Sequence, residues 1–326
     1  MNSDSKSFSD FRDKAKLIAE MREAYSQGKN AMEFARSFIS RNKGDVIYNE
    51  KLSTLIAYDL QSGNYVEKAK KFAEFNKKYG DLHARLIEEF LPENGTLLEV
   101  GVGEATTLTS VIKSLKVKPK KCLGFDISWS RIKVANQWLF DNSEKAELFV
   151  GDMFDIPLSD NSIDVVFSSH SLEPNGGNEE RLMRECYRVA RKAVLFIEPI
   201  YELASKEAKR RMRKHCYISG ILNIAKRNNY EIVDYKLLEN VDNYINPLNP
   251  SGILSIKKTD YKNDSIRSEK VNDNIKWQCP FTKSDLAKFD DAFYSKDAGL
   301  AYPILSGIPL LRSEHAVIAS LYELIN

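Results

Sequence analysis

The sequence places a carboxylate at the end of three successive β-rich runs: Glu99 in TLLEVG, Asp126 in KCLGFDI and Asp152 in AELFVGD. Gly101 and Gly103 follow Glu99 at alternate positions, and an amphipathic stretch starts near Thr106 or Thr107. A strand, a glycine turn and a helix start in that order bring backbone N–H groups and the positive end of a helix beside a ligand, and glycine permits its close approach. Such a turn alone is also compatible with an ordinary connection. Glu99 narrows the choice: a carboxylate there can orient the ammonium of an amino-acid ligand, whereas a pyrophosphate gains nothing from it. Thr106 stands where a dinucleotide fingerprint needs its third glycine, which argues against hydride chemistry. Asp126 follows at about the 20-residue separation at which an acid meets ribose hydroxyls in doubly wound folds. Strand-end acids also cap following helices, but three converging on one sheet edge favour a ligand site.

A second group lies in the loops after the next two runs, SHSLEPNGGNEE and EPIYELASKE. In an open α/β sheet these loops face the ligand crevice, so His170, Glu173 and Asn175 are candidates in the first and Glu198 and Tyr201 in the second. His170, with an unperturbed pKa near ~6.5, can take a proton from a hydroxyl or else hydrogen-bond within its loop. His215, after the basic run KEAKRRMRKH, is a secondary candidate. Tyr58 and Tyr65, in IAYDLQSGNYVEKA, can touch a ligand from an N-terminal lid, or simply pack helices onto the sheet.

The elements that must position these residues follow from periodicity. From Phe8 to about Gly80 the apolar residues fall at helical spacing, which predicts a helical N-terminal cap over 1–90. From 91 to 258, β-rich runs alternate with helical stretches. This predicts an α/β, doubly wound, mostly parallel seven-stranded sheet, in which YEIVDYKLLE and GILSIKK pair antiparallel at the edge. A polar linker is expected over 259–276 and a small α+β module over 277–326.

With those residues in place, Leu97 to Lys258 resembles a class I, seven-stranded methyltransferase that uses S-adenosylmethionine. Its pattern of an acid followed by small residues at alternate positions reads here as Glu99, Gly101, Gly103 and Ala105, and FDIPLSDNSIDVVFSSHSLE resembles the run into the family's fourth strand. The resemblance implies that Gly101 and Gly103 flank the methionine part, that Asp126 binds the ribose, and that Asp152 with Met153 borders the adenine. Ile127 and Ser168 complete the cofactor set, and His170 with Glu173 are the catalytic candidates. The tail WQCPFTKSDLAKF with GLAYPILSGIPLLR resembles a zinc-ribbon-like protein that activates several methyltransferases. That pattern carries paired cysteines; here Cys279 stands alone, so no metal is expected.

The bulk properties limit partners. The 326 residues carry a formal net charge of +2, too mild to mark a nucleic-acid binder. No apolar run reaches the ~20 residues of a membrane span, the start lacks a signal-peptide layout, and the four cysteines form no CxxC pair, so a cytoplasmic location is the default expectation. The expected acceptor is a small molecule, a sugar or other biosynthetic intermediate, methylated on oxygen or nitrogen. RNA or protein is the alternative, suggested by the basic run and the tail, and a non-catalytic scaffold is a third reading. Homo-oligomerisation stays open.

Overall fold

A computed structural model describes residues 5–31, 33–34, 46–238, 248–259 and 275–322. Most of the expected linker and of the loop before the last core strand therefore lie outside the described residues.

Among the described residues, the helices α1 (Ser5–Ser26), α2 (Val46–Leu60), α3 (Asn64–Lys71) and α4 (Ala73–Glu88) lead into the sheet. Leu17 and Met21 of α1 bury against Ala31, Ile56 and Ala57, which gives this segment a small core of its own. α4 presents Ala84, Leu86 and Ile87 to the sheet.

The sheet has strands β1 (Thr96–Val100), β2 (Lys121–Asp126), β3 (Glu147–Val150), β4 (Ile163–Ser169), β5 (Ala190–Pro199), β6 (Glu231–Leu237) and β7 (Ser251–Lys257), in the spatial order β3-β2-β1-β4-β5-β7-β6. β1 to β5 are parallel; β7 lies antiparallel between β5 and β6. Helices α5 (Thr106–Ser114), α6 (Trp129–Asp141), α7 (Glu179–Val189), α8 (Lys206–Lys214) and α9 (Ile221–Arg227) cover its faces. With both faces covered, β1 is buried along its whole length and reads as a nearly continuous apolar run rather than an alternation. Asp164 fastens the start of β4 to that of β1: its carboxylate accepts from the Thr96 N–H at 2.9 Å and holds Arg191 through two bonds of 2.9 Å.

The C-terminal residues form a second, antiparallel sheet from β8 (Ala287–Lys288), β9 (Ala292–Ser295), β10 (Leu300–Leu305), β11 (Ile308–Pro309) and β12 (Val317–Ile318). Its only helical content among the described residues, besides a trace at Tyr322, is the 3-10 turn Ser313–His315. The module shares a core with the large sheet, because Cys279, Leu286, Phe293, Tyr302 and Leu311 bury in one cluster with Phe125, Phe149, Ile156 and Leu158. Leu310 bridges Val150 in parallel and the Leu311 N–H donates to the Val150 carbonyl at 2.8 Å, so this segment covers the β3 edge. Cys279 is buried, its sulfur 3.1 Å from the Tyr302 hydroxyl. Among the described residues no cluster of three or more His, Cys, Asp or Glu is arranged to hold a metal, and no helix is long and apolar enough to cross a membrane.

Candidate cofactor and acceptor site

The turn after β1 is built from three left-handed residues at alternate positions, Gly101 (φ 70°), Gly103 (φ 55°) and Ala105 (φ 55°). Ala105 is the cap of α5, and this geometry turns the chain from strand into helix in a few residues. At Gly101 even a methyl group has no room, since an added Cβ would lie 2.4 Å from the Ser171 Cβ. Glu99 is 2% exposed and one of its oxygens accepts the Leu108 N–H in the first turn of α5, while Oε2 has no partner. Burial lifts its carboxyl well above the usual range, and the neighbouring Asp126 and Glu198 add to the rise.

Asp126 ends β2 with both oxygens turned back on the turns around it: Oδ2 accepts from the Gly103 N–H at 3.2 Å and Oδ1 from the Ser128 N–H at 2.9 Å. Burial raises its pKa against the opposing pull of Arg131. Asp152 holds the turn after β3 through the Phe154 N–H at 3.0 Å. Met153 reaches the place where a Gly101 Cβ would sit, at 3.7 Å. The cofactor residues expected from sequence, Glu99, Gly101, Gly103, Asp126, Ile127, Asp152 and Met153, thus gather at the carboxyl ends of β1, β2 and β3. Ser168 lies near the end of β4 beside Glu198.

The N-terminal helices α2 and α3 meet this turn. Glu104, 1% exposed, accepts the Gly63 N–H at 2.9 Å and the Val66 N–H at 2.8 Å, which places a carboxylate at the start of α3. Asp59 accepts from the Ser128 hydroxyl at 2.8 Å. Between these helices and the sheet lies Arg131, its guanidinium 4.3 Å from the Tyr58 ring and 4.9 Å from the Tyr65 ring. Tyr65 also overhangs Gly103, 3.6 Å from where a Cβ would be.

Beyond β4 the chain turns through His170, a left-handed residue (φ 50°). Its Nδ1 is 2.6 Å from Glu173 Oε1 and its Nε2 2.7 Å from the Ser251 hydroxyl. Asn249 donates to the same Glu173 oxygen at 3.0 Å, and Arg211 of α8 donates to Asn249 at 3.2 Å. Burial opposes charge on both members of the pair, yet their mutual bond wins, so His170 titrates above its ordinary value and Glu173 below. Glu198 is fully buried and accepts the Ser171 and Leu172 N–H groups; burial pushes its carboxyl up to about 7.

Beneath His170, Tyr79 and His83 of α4 share Ser169. The His83 Nδ1 lies 2.8 Å from the Tyr79 carbonyl, which can only accept, so Nδ1 carries the proton and Nε2 accepts from Ser169 at 3.1 Å. Burial lowers His83 to about 3 and keeps it neutral.

Asn175 turns back on its own loop, donating to the Leu172 carbonyl at 3.0 Å and lying 3.6 Å from the Met153 sulfur. Tyr201 and His215 lie at the two ends of the α8 region: Tyr201 in a 3-10 turn under Lys209, His215 at the α8 cap with its ring 6.1 Å from that of Tyr217. Sequence reasoning missed Glu104, Arg131, Tyr79, His83, Ser169, Asn249 and Ser251. Glu104 had a signal, since it follows Gly103 directly. Asn249 and Ser251 had none, because only the insertion of β7 beside β5 brings them to the crevice.

A sequence model of the family described as a methyltransferase domain matches over 98–197, the span from the glycine turn to the end of β5. Residues 98–197 are thus similar to a methyltransferase domain. YrhH of Bacillus subtilis, assigned by name to the methyltransferases, is 33% identical over 100 residues, 30% of this chain and 53% of that protein. Ajmaline N-methyltransferase of Rauvolfia serpentina is 32% identical over 118 residues, 32% of this chain and 39% of its own. The chain thus spans about half or less of the length of these curated relatives. A SAM-dependent methyltransferase from Aquifex aeolicus aligns over 54% of this chain and 88% of its own, with 17% identity and a TM-score of 0.41. A chain from the Haloferax volcanii complex of the Trm112 methyltransferase activator with a methyltransferase aligns over 60% and 95%, with 14% identity and a TM-score of 0.47.

Proposed function

We propose that the chain is an S-adenosylmethionine-dependent methyltransferase acting on oxygen or nitrogen of a small-molecule acceptor. The observation that carries the reading is the left-handed turn Gly101–Ala105, set between Glu99 and Asp126 with a lid fixed over it. The Oε2 atoms of Glu99 and of Glu198 are buried without a hydrogen-bond partner; such groups call for one, and an ammonium-bearing ligand would supply it, so the residues present suit this cofactor. When bound, it supplies a methyl group on a sulfonium.

The chain's own part is positioning, water exclusion and proton handling. Gly101 and Gly103 admit the methionine part, Asp126 and Ile127 take the ribose, and Asp152 and Met153 border the adenine, with Ser168 behind them. Tyr58 and Tyr65 close the lid, which keeps water from the reactive centre. His170 takes a proton from an acceptor that must lose one, Glu173 stabilises the charge it gains, and Asn175, Glu198, Tyr201 and His215 line the acceptor side. RNA or protein as acceptor is favoured by one observation, the α8 face with Lys206, Arg210, Arg213 and Lys214.

Calorimetric titration tests the cofactor. Wild type is expected to bind S-adenosylmethionine, and Asp126→Ala to bind about 10-fold or more weakly through loss of a charged hydrogen-bond acceptor. No binding by wild type, or an unchanged Asp126→Ala, would sink the reading. Transfer of labelled methyl into small-molecule, protein and RNA fractions of a lysate identifies the acceptor class.

A further inference from the structure

The segment that covers the β3 edge continues into a buried arginine. Parallel register aligns Asp126 of β2 with Val150 of β3, and Val150 with Leu310. Asp152 lies two residues beyond Val150, and Arg312 two residues beyond Leu310. The same carboxyl edge that carries the glycine turn, Asp126 and Asp152 therefore ends on a cation supplied by the C-terminal module.

Arg312 is 3% exposed. Its Nη1 donates to the Ile127 carbonyl at 3.4 Å, its Nη2 pairs with Glu314, and its Nε has no partner. Burying a guanidinium costs several kcal/mol in real proteins unless its donors are met, so an incompletely met one is a poor stabilising device. Ile127 lies between Asp126 and Ser128, and the N–H groups of Ile127 and Ser128 close on the Asp126 carboxylate. Holding the Ile127 carbonyl from outside the sheet fixes the peptide that follows Asp126. Trp129 strengthens the same junction from the next residue but one, donating to the Leu305 carbonyl at 3.4 Å.

We infer that Arg312 is a positioning residue for the adenosine end of the cofactor: through Ile127 it sets the Asp126–Ser128 turn and makes the C-terminal module part of the cofactor site. The inference rests on the cofactor reading above. It differs from a purely stabilising role in what it predicts at the two ends of the ligand. A lesion at Arg312 weakens any ligand that carries adenosine, whether or not it carries the amino acid; a lesion at the glycine turn weakens only ligands with the amino acid.

The test is calorimetric binding of S-adenosylmethionine and of 5′-methylthioadenosine to the full chain and to Arg312→Met, Arg312→Lys and Gly103→Ala. Arg312→Met is expected to weaken both ligands by about 10-fold, equal to about 1.4 kcal/mol. Arg312→Lys, which keeps a cation and donor on a similar stem, is expected to lose about 3-fold, and it carries the test if the Met variant does not fold. Gly103→Ala is expected to weaken S-adenosylmethionine alone. Equal binding of both ligands by wild type and both arginine variants overturns the inference, as does a loss confined to S-adenosylmethionine. Failure of wild type to bind either ligand overturns the underlying cofactor reading instead.

Discussion

Glu198 shows how a single buried carboxyl can set both chemistry and stability. Its pKa is pushed up to about 7 by burial, from an ordinary 4.5. A group that titrates higher in the folded chain favours folding at low pH, fully below about 4.5, and loses that contribution as pH rises through about 7. Glu198→Gln, which imitates the protonated form and still accepts the Ser171 and Leu172 N–H groups, is therefore expected to be more stable than wild type above that pH, by on the order of 3 kcal/mol, and no more stable near pH 4. Thermal unfolding across that range checks it; a Tm difference that does not grow with pH would show a carboxylate charged throughout. The mutual bond of His170 and Glu173 moves them in opposite directions, His170 above its ordinary value, in the same sense as Glu198, and Glu173 below its own. Glu99, Gly101, Gly103, Asp126 and His170 stood out in the sequence because their types and spacing mark the ends of β-rich runs and the turn between strand and helix. What was hidden were their partners: one oxygen of Glu99 accepts the Leu108 N–H of α5, and Asn249 and Ser251 reach the His170–Glu173 pair from the start of a strand distant in sequence.

At the scale of elements, Glu104 ties the start of α3 to the glycine turn. Glu104 satisfies two backbone donors at the start of α3, where a helix has no intrahelical partners to offer. Glu104→Ala leaves both donors without their carboxylate and is expected to cost about 1–3 kcal/mol locally. Hydrogen exchange should show faster exchange at Gly63 and Val66 with β1 and β4 amides unchanged; unaltered protection at those two amides would mean the lid is held by Asp59 and Arg131 alone. Periodicity foretold the helices here and the strands from β1 to β5, since a buried parallel strand has an unmistakable apolar run. It could not foretell that α4 delivers Tyr79 and His83 to the floor of the crevice. Both are apolar-face residues of an ordinary amphipathic pattern, and only the packing of α4 against β4 gives them a shared partner in Ser169.

In the whole molecule, the C-terminal module and the seven-stranded sheet share one core rather than meeting at a surface. Trp277 packs between Phe149 and Phe293, with ring centroids 5.1 Å and 5.2 Å away. Removing residues 275–326 uncovers the β3 edge together with that aromatic cluster, and such a surface seeks another copy. The truncated chain is expected to aggregate or to lose several kcal/mol of stability, read by light scattering and urea unfolding; a monomer with the wild-type midpoint would show the module to be a separate appendage. The sequence by itself determined the doubly wound sheet, the glycine turn with its acids and the loop carrying His170, because each is written in local spacing and side-chain type. Only the tertiary structure decided what surrounds them: the lid on Glu104, the floor from α4, the reach of β7 to His170 and the placing of Arg312 beside Ile127. Those contacts join residues far apart in the chain, and no periodicity records a pairing that exists only once the sheet has closed its order.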